Sequence, residues 1–207
     1  MVKTSRIKFN YDNEIFFEFP NINLAKHENL LIIGSSGIGK TTLLHLLAGL
    51  IKPQSGSIEL FGVNTSQLAS HEMDKFRGNN IGLVFQKSHF VNSLSVIENL
   101  QLAQYLSNKK DSKRIESILN NLGIIDKSNK KPNQLSQGEK QRVSIALAIV
   151  NSPKLILADE PTSSLDDKNC DNVIKILKKQ ASDFGAQLIV ITHDSRLKKH
   201  FNKSIEL

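Results

Sequence analysis

The residues best suited to chemistry lie in Ile32-Ile33-Gly34-Ser35-Ser36-Gly37-Ile38-Gly39-Lys40-Thr41-Thr42. Gly34, Gly39, Lys40 and Thr41 fall at G-x-x-x-x-G-K-[ST] spacing. The glycines allow a tight turn with its N–H groups facing inward. Together with the N-terminus of a following helix, those donors form a cradle for phosphate oxygens. The expected binding loop is therefore Gly34, Ser35, Ser36, Gly37, Ile38 and Gly39, continued by Lys40, Thr41 and Thr42. Lys40 is placed to neutralise charge at β- and γ-phosphates, and the Thr41 hydroxyl to coordinate Mg²⁺. A dinucleotide fingerprint needs G-x-G-x-x-G, which the order Gly34, Gly37, Gly39 does not supply.

A second group follows the apolar run at residues 155–158. Asp159 and Glu160 stand side by side at its end, and in open α/β sheets that edge is where ligands bind. Asp159 can hold a Mg²⁺ shell from the side opposite Thr41. Glu160 can orient or deprotonate a water for in-line attack on a γ-phosphate. On their own, the two carboxylates also fit a solvated strand end before Pro161. His193 follows the apolar run 188–191. A lone histidine is usually structural, but at this edge a neutral imidazole can contact a γ-phosphate or the attacking water. Two readings stand for Tyr11, a ring stacked on a base and simple core packing. Ser136 and Glu139 have capping-box spacing, which alone explains both.

The elements that position these residues follow from apolar periodicity and punctuation. Residues 6–11 and 15–19 alternate as two antiparallel strands, with Asp12-Asn13 as the turn. Residues 30–33 read as a buried strand, and Leu43, Leu44, Leu46 and Leu47 as a helix packed on it. Lys52-Pro53-Gln54-Ser55-Gly56 reads as a turn by composition, and residues 57–60 as a strand. A helix is expected from Leu68 to Arg77, ended near Gly78, and then a strand at 81–85 with Gln86 at its end. Ser95 and Glu98 open a helix to about Leu106. Ile115, Ile118, Leu119 and Leu122 form an amphipathic helix stopped by Gly123. Residues 88–132 thus read as a helical insert, or about 88–150 if the helix after Ser136 is counted with it. Helices at about 137–150 and 166–184 and a last edge strand at 205–207 complete the chain.

Length and composition suit one domain over residues 1–207, with a core of its own and no further regulatory domain expected. No apolar run approaches a membrane span, and the alternating N-terminus does not read as a signal peptide. Cys170 is the single cysteine, so no intrachain disulfide is available, which suits a reducing compartment. The net charge is +7, with basic clusters at residues 109–114, 127–131 and 198–203. An acidic partner is one explanation, and solvated loops and helix ends the other. The second is preferred, because no aromatics are interleaved for base stacking.

Taken together, these stretches resemble the nucleotide-binding subunit of an ABC transporter over nearly the whole chain. Residues 34–41 resemble its Walker A loop, and residues 155–159 its Walker B strand. Gln86 stands at the Q-loop glutamine. Leu135-Ser136-Gln137-Gly138-Glu139, followed by Lys140-Gln141-Arg142, is similar to the family signature Leu-Ser-Gly-Gly-Gln. Gln137 replaces a glycine and Glu139 the glutamine, while Ser136 and Gly138 remain. Glutamate at the last position is familiar in the lipoprotein-release and macrolide-export subgroup. Ser163-Ser164-Leu165-Asp166 resembles the D-loop and His193 the switch histidine, and Tyr11 sits about where an adenine-stacking aromatic belongs.

The resemblance implies an α/β P-loop NTPase with a mixed central sheet, an N-terminal antiparallel β-subdomain and an α-helical insert. It implies ATP and Mg²⁺ as cofactors, with Glu160, His193 and Gln86 as catalytic residues and Thr41, Gln86 and Asp159 around the metal. Ser136 and Gly138 would grip the γ-phosphate held by a second copy, in an ATP-dependent head-to-tail homodimer. The implied partner is a separate integral-membrane permease of export or lipoprotein-release type, docked at residues 87–98. The chain would be cytoplasmic and peripheral on the inner face of the cell membrane, without nucleic acid. Other readings are an ATPase passing force to a non-transporting membrane partner, a soluble relative acting on DNA or ribosomes, and an inactive binding module. The missing coiled-coil insertion and second cassette count against the soluble relative. The presence of Lys40, Glu160 and His193 counts against the inactive module.

Overall fold

The computed structural model describes the chain apart from residues 12–15 and 164. Its elements are, in order, β1 (Val2–Asn10), β2 (Phe16–Glu18), β3 (Asn23–Leu24), β4 (Leu30–Ile33), α1 (Lys40–Leu47), β5 (Ser55–Leu60), β6 (Val63–Asn64), α2 (Ser70–Asn80) and β7 (Ile81–Val84). There follow α3 (Val96–Leu106), α4 (Ser112–Asn121), α5 (Gln137–Ile149), β8 (Leu155–Asp159), α6 (Asp167–Asp183), β9 (Gln187–Thr192) and β10 (Ser204–Glu206).

The strands form two sheets. The central one runs β10-β4-β9-β8-β7, with every pairing parallel. Antiparallel pairing is gathered in the second sheet, β2-β1-β5-β6 with β3 against β1. Strands β4, β8 and β9 are buried throughout, as expected of parallel strands covered on both faces. Alternation sorts their side chains into two cores. Leu31, Ile33, Ile156, Ala158, Leu188 and Val190 pack toward α3 to α6. Leu30, Ile32, Leu155, Leu157, Ile189 and Ile191 pack toward α1 and the antiparallel sheet. Because the central strands are parallel, the loops after β4, β7, β8 and β9 all leave from one edge. Those loops carry residues 34–39, Gln86, Glu160 and His193.

Several boundaries differ from expectation for identifiable reasons. The first strand begins at Val2 rather than Arg6. The register between β1 and β5 shifts between Ser5 and Lys8, and Arg6 has φ 49°, so a bulge breaks the alternation that marks a strand. The β1–β2 hairpin pairs Phe9 with Phe17, and its expected Asp12-Asn13 turn lies outside the described residues. Helix α2 runs through Gly78 instead of ending there. Ser107 Oγ donates to the Gly78 carbonyl at 3.0 Å, and a Cβ on Gly78 would lie 3.0 Å from that oxygen. This glycine therefore admits a close neighbour and does not stop the helix. The Asn79 and Asn80 amides cover carbonyls one turn back, those of Lys75 and Phe76. Gly123, at φ 65°, does follow the end of α4 in the left-handed conformation.

The helices of the insert share their core with the sheet: Val96, Leu100, Ile115 and Ile118 join Val143, Ala146 and Ile149 of α5 in the cluster under β4, β8 and β9. Arg114 adds a polar fastening, donating to the Ile149 and Val150 carbonyls at 2.8 Å each and lying 4.4 Å from the Phe184 ring centroid. α5 packs on β7 so tightly that a Cβ at Gly82 would meet the Ala148 carbonyl oxygen at 2.1 Å.

Candidate active site

The loop between β4 and α1 has the backbone its glycines were expected to allow. Gly37 and Gly39 take φ 85° and 98°, in the left-handed region that a side chain disfavours. Gly39 is constrained twice, since a Cβ there would also lie 2.6 Å from the Phe17 ring. Helix α1 starts at Lys40 without a side-chain cap and without an acidic residue in its first turn. Its leading amides are left to an anion, which the helix dipole favours.

A cavity of about 540 Å³ opens in front of this loop. Ser35, Ser36, Gly37, Gly39, Lys40, Thr41 and Thr42 line one side, and Gln86, Glu160 and His193 the other. Gly34 and Ile38 shape the loop from behind, the Ile38 side chain filling the space beside the Cβ-less Gly34. Phe17 also lines the cavity. Nothing in the alternation of that strand sets it apart from Phe16 or Phe19, so sequence patterning missed it. Tyr11 stands beside the cavity. Its hydroxyl shares a 3.1 Å hydrogen bond with Thr42 Oγ1, its ring packs edge-on against Phe9 and Phe17, and 53% of its surface is exposed.

Lys40 is buried. Its ammonium donates to the Gly34 and Ser35 carbonyls at 2.9 and 2.8 Å and lies 3.7 Å from Glu160 Oε1. Thr41 Oγ1 donates to Asp159 Oδ2 at 3.0 Å. The other oxygen of that carboxylate, Oδ1, is buried without a hydrogen-bond partner among the described residues. Burial pushes the Asp159 carboxyl above its usual range, with the neighbouring Glu160 charge adding to the push and the Thr41 bond opposing it. An orphaned oxygen on the carboxylate that the Thr41 hydroxyl bonds, next to a cavity that Thr41 and Gln86 line, completes a hard oxygen set that suits a small divalent cation sharing phosphate ligands.

Glu160 sits at φ 47°, a strained conformation for a residue with a side chain. Its N–H donates to the Ile191 carbonyl at 2.8 Å. The carboxylate accepts from Thr192 Oγ1 at 2.8 Å and from the His193 N–H at 3.1 Å, and it meets His193 Nδ1 at 2.9 Å. Glu160 is thus buried and aimed by the end of β9, while the His193 side chain is 61% exposed at the cavity mouth. Thr192 carries this orientation and had no motif to announce it. Just beyond, the Asp194 carboxyl is held down to about 2, chiefly by hydrogen bonds from Arg196.

The structure does not bring Ser136 and Gly138 into this cavity. Ser136 caps α5, with its N–H donating to Glu139 Oε2 at 2.8 Å and its Oγ accepting from the Glu139 N–H at 3.3 Å. Both residues are exposed, and the space around a Cβ at Gly138 is open. The capping box is real: it ties up the Ser136 and Glu139 N–H groups, and it holds the exposed Ser136 and Gly138 outside the cavity of their own chain.

Comparison with known proteins places these features. The family model described as ABC transporter matches residues 18–163. The lipoprotein-releasing system ATP-binding protein LolD of Buchnera aphidicola subsp. Acyrthosiphon pisum is 43% identical over 182 residues, 86% of this chain and 80% of that protein. The protein of the same description from Shewanella denitrificans is 35% identical over 190 residues, 90% of this chain and 82% of that one. Among solved structures, a dimeric post-hydrolysis state of the ATP-binding cassette MJ0796 bound to ADP and Pi superposes with a TM-score of 0.89 at 33% identity, covering 100% of this chain and 94% of that one. With a phosphate cradle, a buried carboxylate aimed across it and this likeness over nearly its full length, the chain belongs to the ABC transporter family, as an ATP-binding subunit that hydrolyses ATP.

Proposed function

We propose that two copies of this chain face each other head to tail, each closing the ATP site of the other, and that they drive a separate membrane permease of lipoprotein-release type. The observation that carries the dimer is the exposure of Ser136 and Gly138 outside the cavity of their own chain. One copy cradles phosphate from the Lys40 side only, and a second copy supplies an outward-facing helix start of the right chemistry. The dimeric state of the MJ0796 cassette supports this reading, and the LolD relatives support the choice of cargo class.

In the closed pair, Lys40 and the amides of residues 35–39 would hold the β- and γ-phosphates. Thr41, Asp159 and Gln86 would hold Mg²⁺, which supplies charge neutralisation to the phosphates when bound. Glu160 would take the proton of the attacking water, oriented by Thr192 and backed by the His193 ring. Tyr11 and Phe17 offer aromatic surface to the base.

The permease would dock between the central sheet and the insert. A groove of about 790 Å³ lies there, lined among others by Leu83, Phe85, Ala103, Leu106 and Leu147. Phe85 of this lining packs edge-on against the His89 ring, 5.0 Å between centroids, which links the groove to the 87–98 segment. Asn99 secures that segment by accepting from the Val91 N–H at 2.9 Å and donating to the Leu94 carbonyl at 3.2 Å. In this reading the chain is a peripheral subunit on the cytoplasmic face of the membrane. Among the described residues no helix is long and apolar enough to cross one.

A crosslink tests the dimer. Ile38 is 38% exposed at the loop, and Ser136 is exposed at the start of α5. Chains carrying Ile38→Cys and Ser136→Cys are expected to form a disulfide-linked pair under mild oxidation when ATP is present, and neither variant alone should do so. Failure to link with ATP bound would overturn the head-to-tail arrangement. The permease is tested by affinity purification from membranes: an integral protein should co-purify with the wild-type chain and be lost when Leu106→Glu places a charge in the groove. Its retention by the variant would exclude that surface.

A further inference from the structure

Arg196 lies in the 3₁₀ turn Ser195–His200, just past His193. Its guanidinium reaches in two directions. Nε donates to Asp194 Oδ1 at 2.8 Å, and Nη2 donates to Asp194 Oδ2 at 2.7 Å. The same Nη2 donates to the Leu165 carbonyl at 3.3 Å, and Nη1 donates to the Asp167 carboxylate at the start of α6. Asp194 is nearly enclosed, with its side chain 11% exposed, and it also accepts from the fully buried Thr162 hydroxyl at 3.3 Å. The Asp194 N–H donates to Thr192 Oγ1 at 3.0 Å, and that hydroxyl in turn donates to Glu160 Oε2 at 2.8 Å. A continuous hydrogen-bonded path therefore runs from the backbone at Leu165 to the carboxylate at Glu160. Its rigid member is the planar fork of Arg196, which bonds an acceptor pair on one side and the Leu165–Asp167 segment on the other.

We propose that Arg196 is a positioning residue for ATP hydrolysis, clamping the loop that follows Glu160 to the turn that carries His193. The Glu160 backbone is strained, so its carboxylate is held by its surroundings and not by its own conformational preference. Thr162 and Leu165 leave from the Pro161 side of Glu160, while Thr192 and Asp194 approach from β9. Arg196 joins the two. Without it, the carboxylate and the imidazole are free to shift relative to a γ-phosphate bound in the cavity. Displacements of about 1 Å at such a site can cost on the order of 100-fold in rate. Nucleotide binding rests on Lys40 and the loop at residues 34–39, which Arg196 does not touch.

The inference rests on Glu160 as the group that activates water. The experiment measures kcat, KM, equilibrium nucleotide affinity and thermal midpoint for the full chain carrying Arg196→Ala, Arg196→Lys or Glu160→Gln. Arg196→Ala is expected to lower kcat about tenfold or more, with ATP affinity within about twofold of wild type. Arg196→Lys keeps the charge but not the fork, and is expected to recover only part of the loss. A kcat for Arg196→Ala close to wild type overturns the clamp. So does a joint fall in kcat, affinity and thermal midpoint, which marks a role in folding alone. Full hydrolysis by Glu160→Gln would refute the base assignment itself. Loss of hydrolysis in Glu160→Gln with none in Arg196→Ala refutes only the clamp.

Discussion

Glu160→Gln is expected to lower ATP turnover by about 100-fold or more, the scale on which removal of a positioned general base acts, and to leave an ATP-bound dimer that elutes ahead of the monomer on gel filtration. The substitution changes little else. Glutamine keeps an oxygen that can accept from the Thr192 hydroxyl and the His193 N–H, so the side chain should stay where the end of β9 places it. What is lost is a basic oxygen in front of the cavity and one buried negative charge 3.7 Å from the Lys40 ammonium. Binding therefore survives while proton removal from water does not, and the closed state persists because only hydrolysis opens it. Its lifetime reflects the difference in affinity of the open and closed pairs for ATP. The measurement is single-turnover hydrolysis beside size-exclusion chromatography with ATP and Mg²⁺. A variant that hydrolyses at the wild-type rate, or stays monomeric with ATP bound, would remove Glu160 from its proposed role.

Lys40→Ala should act at the earlier step. Its ammonium is held at the loop by two carbonyls, at 2.9 and 2.8 Å, with donor capacity to spare for a phosphate oxygen. Hydrogen bonds to charged groups contribute about 1.5–3 kcal/mol each. Losing the one remaining donor toward a β- or γ-phosphate oxygen is about 1.5–3 kcal/mol, roughly a 10- to 100-fold rise in the Kd for ATP. Removing one member of a buried ion pair can also unfold a protein. Here Glu160 keeps the Thr192 hydroxyl, the His193 N–H and the His193 ring as partners, so the fold should hold. Titration with a fluorescent ATP analogue, beside a thermal melt, separates the two effects. Wild-type affinity in a folded variant would show that the loop does not bind phosphate through this lysine.

The two residues also differ in how they could be read. The phosphate loop was legible because its parts are contiguous: glycines, lysine and threonine lie within one turn, and short-range geometry nearly suffices to build the cradle. Helix starts at Ser95 and Ser136 were legible for the same reason, since a cap spans only a few residues. Gly78 misled because a glycine placed for close packing looks the same as one placed to end a helix. Phe17, Thr192 and Arg196 left no signal. Their roles depend on neighbours remote in the chain: the Phe9–Phe17 register for the first, and the pairing of Asp159 with Ile191 for the others.

By itself, then, the order of residues pointed to the local chemistry: a glycine-rich loop of a shape that suits phosphate, carboxylates at a strand end, and helix starts marked by their capping residues. Tertiary structure decided which of these meet. Parallel pairing brings the ends of β4, β7, β8 and β9 to one edge, and the register of β8 on β9 turns Glu160 toward Thr192 and His193; Ser136, at the start of α5, lies outside the cavity they share. Parallel pairing joins residues far apart along the chain, so no short window of sequence contains it.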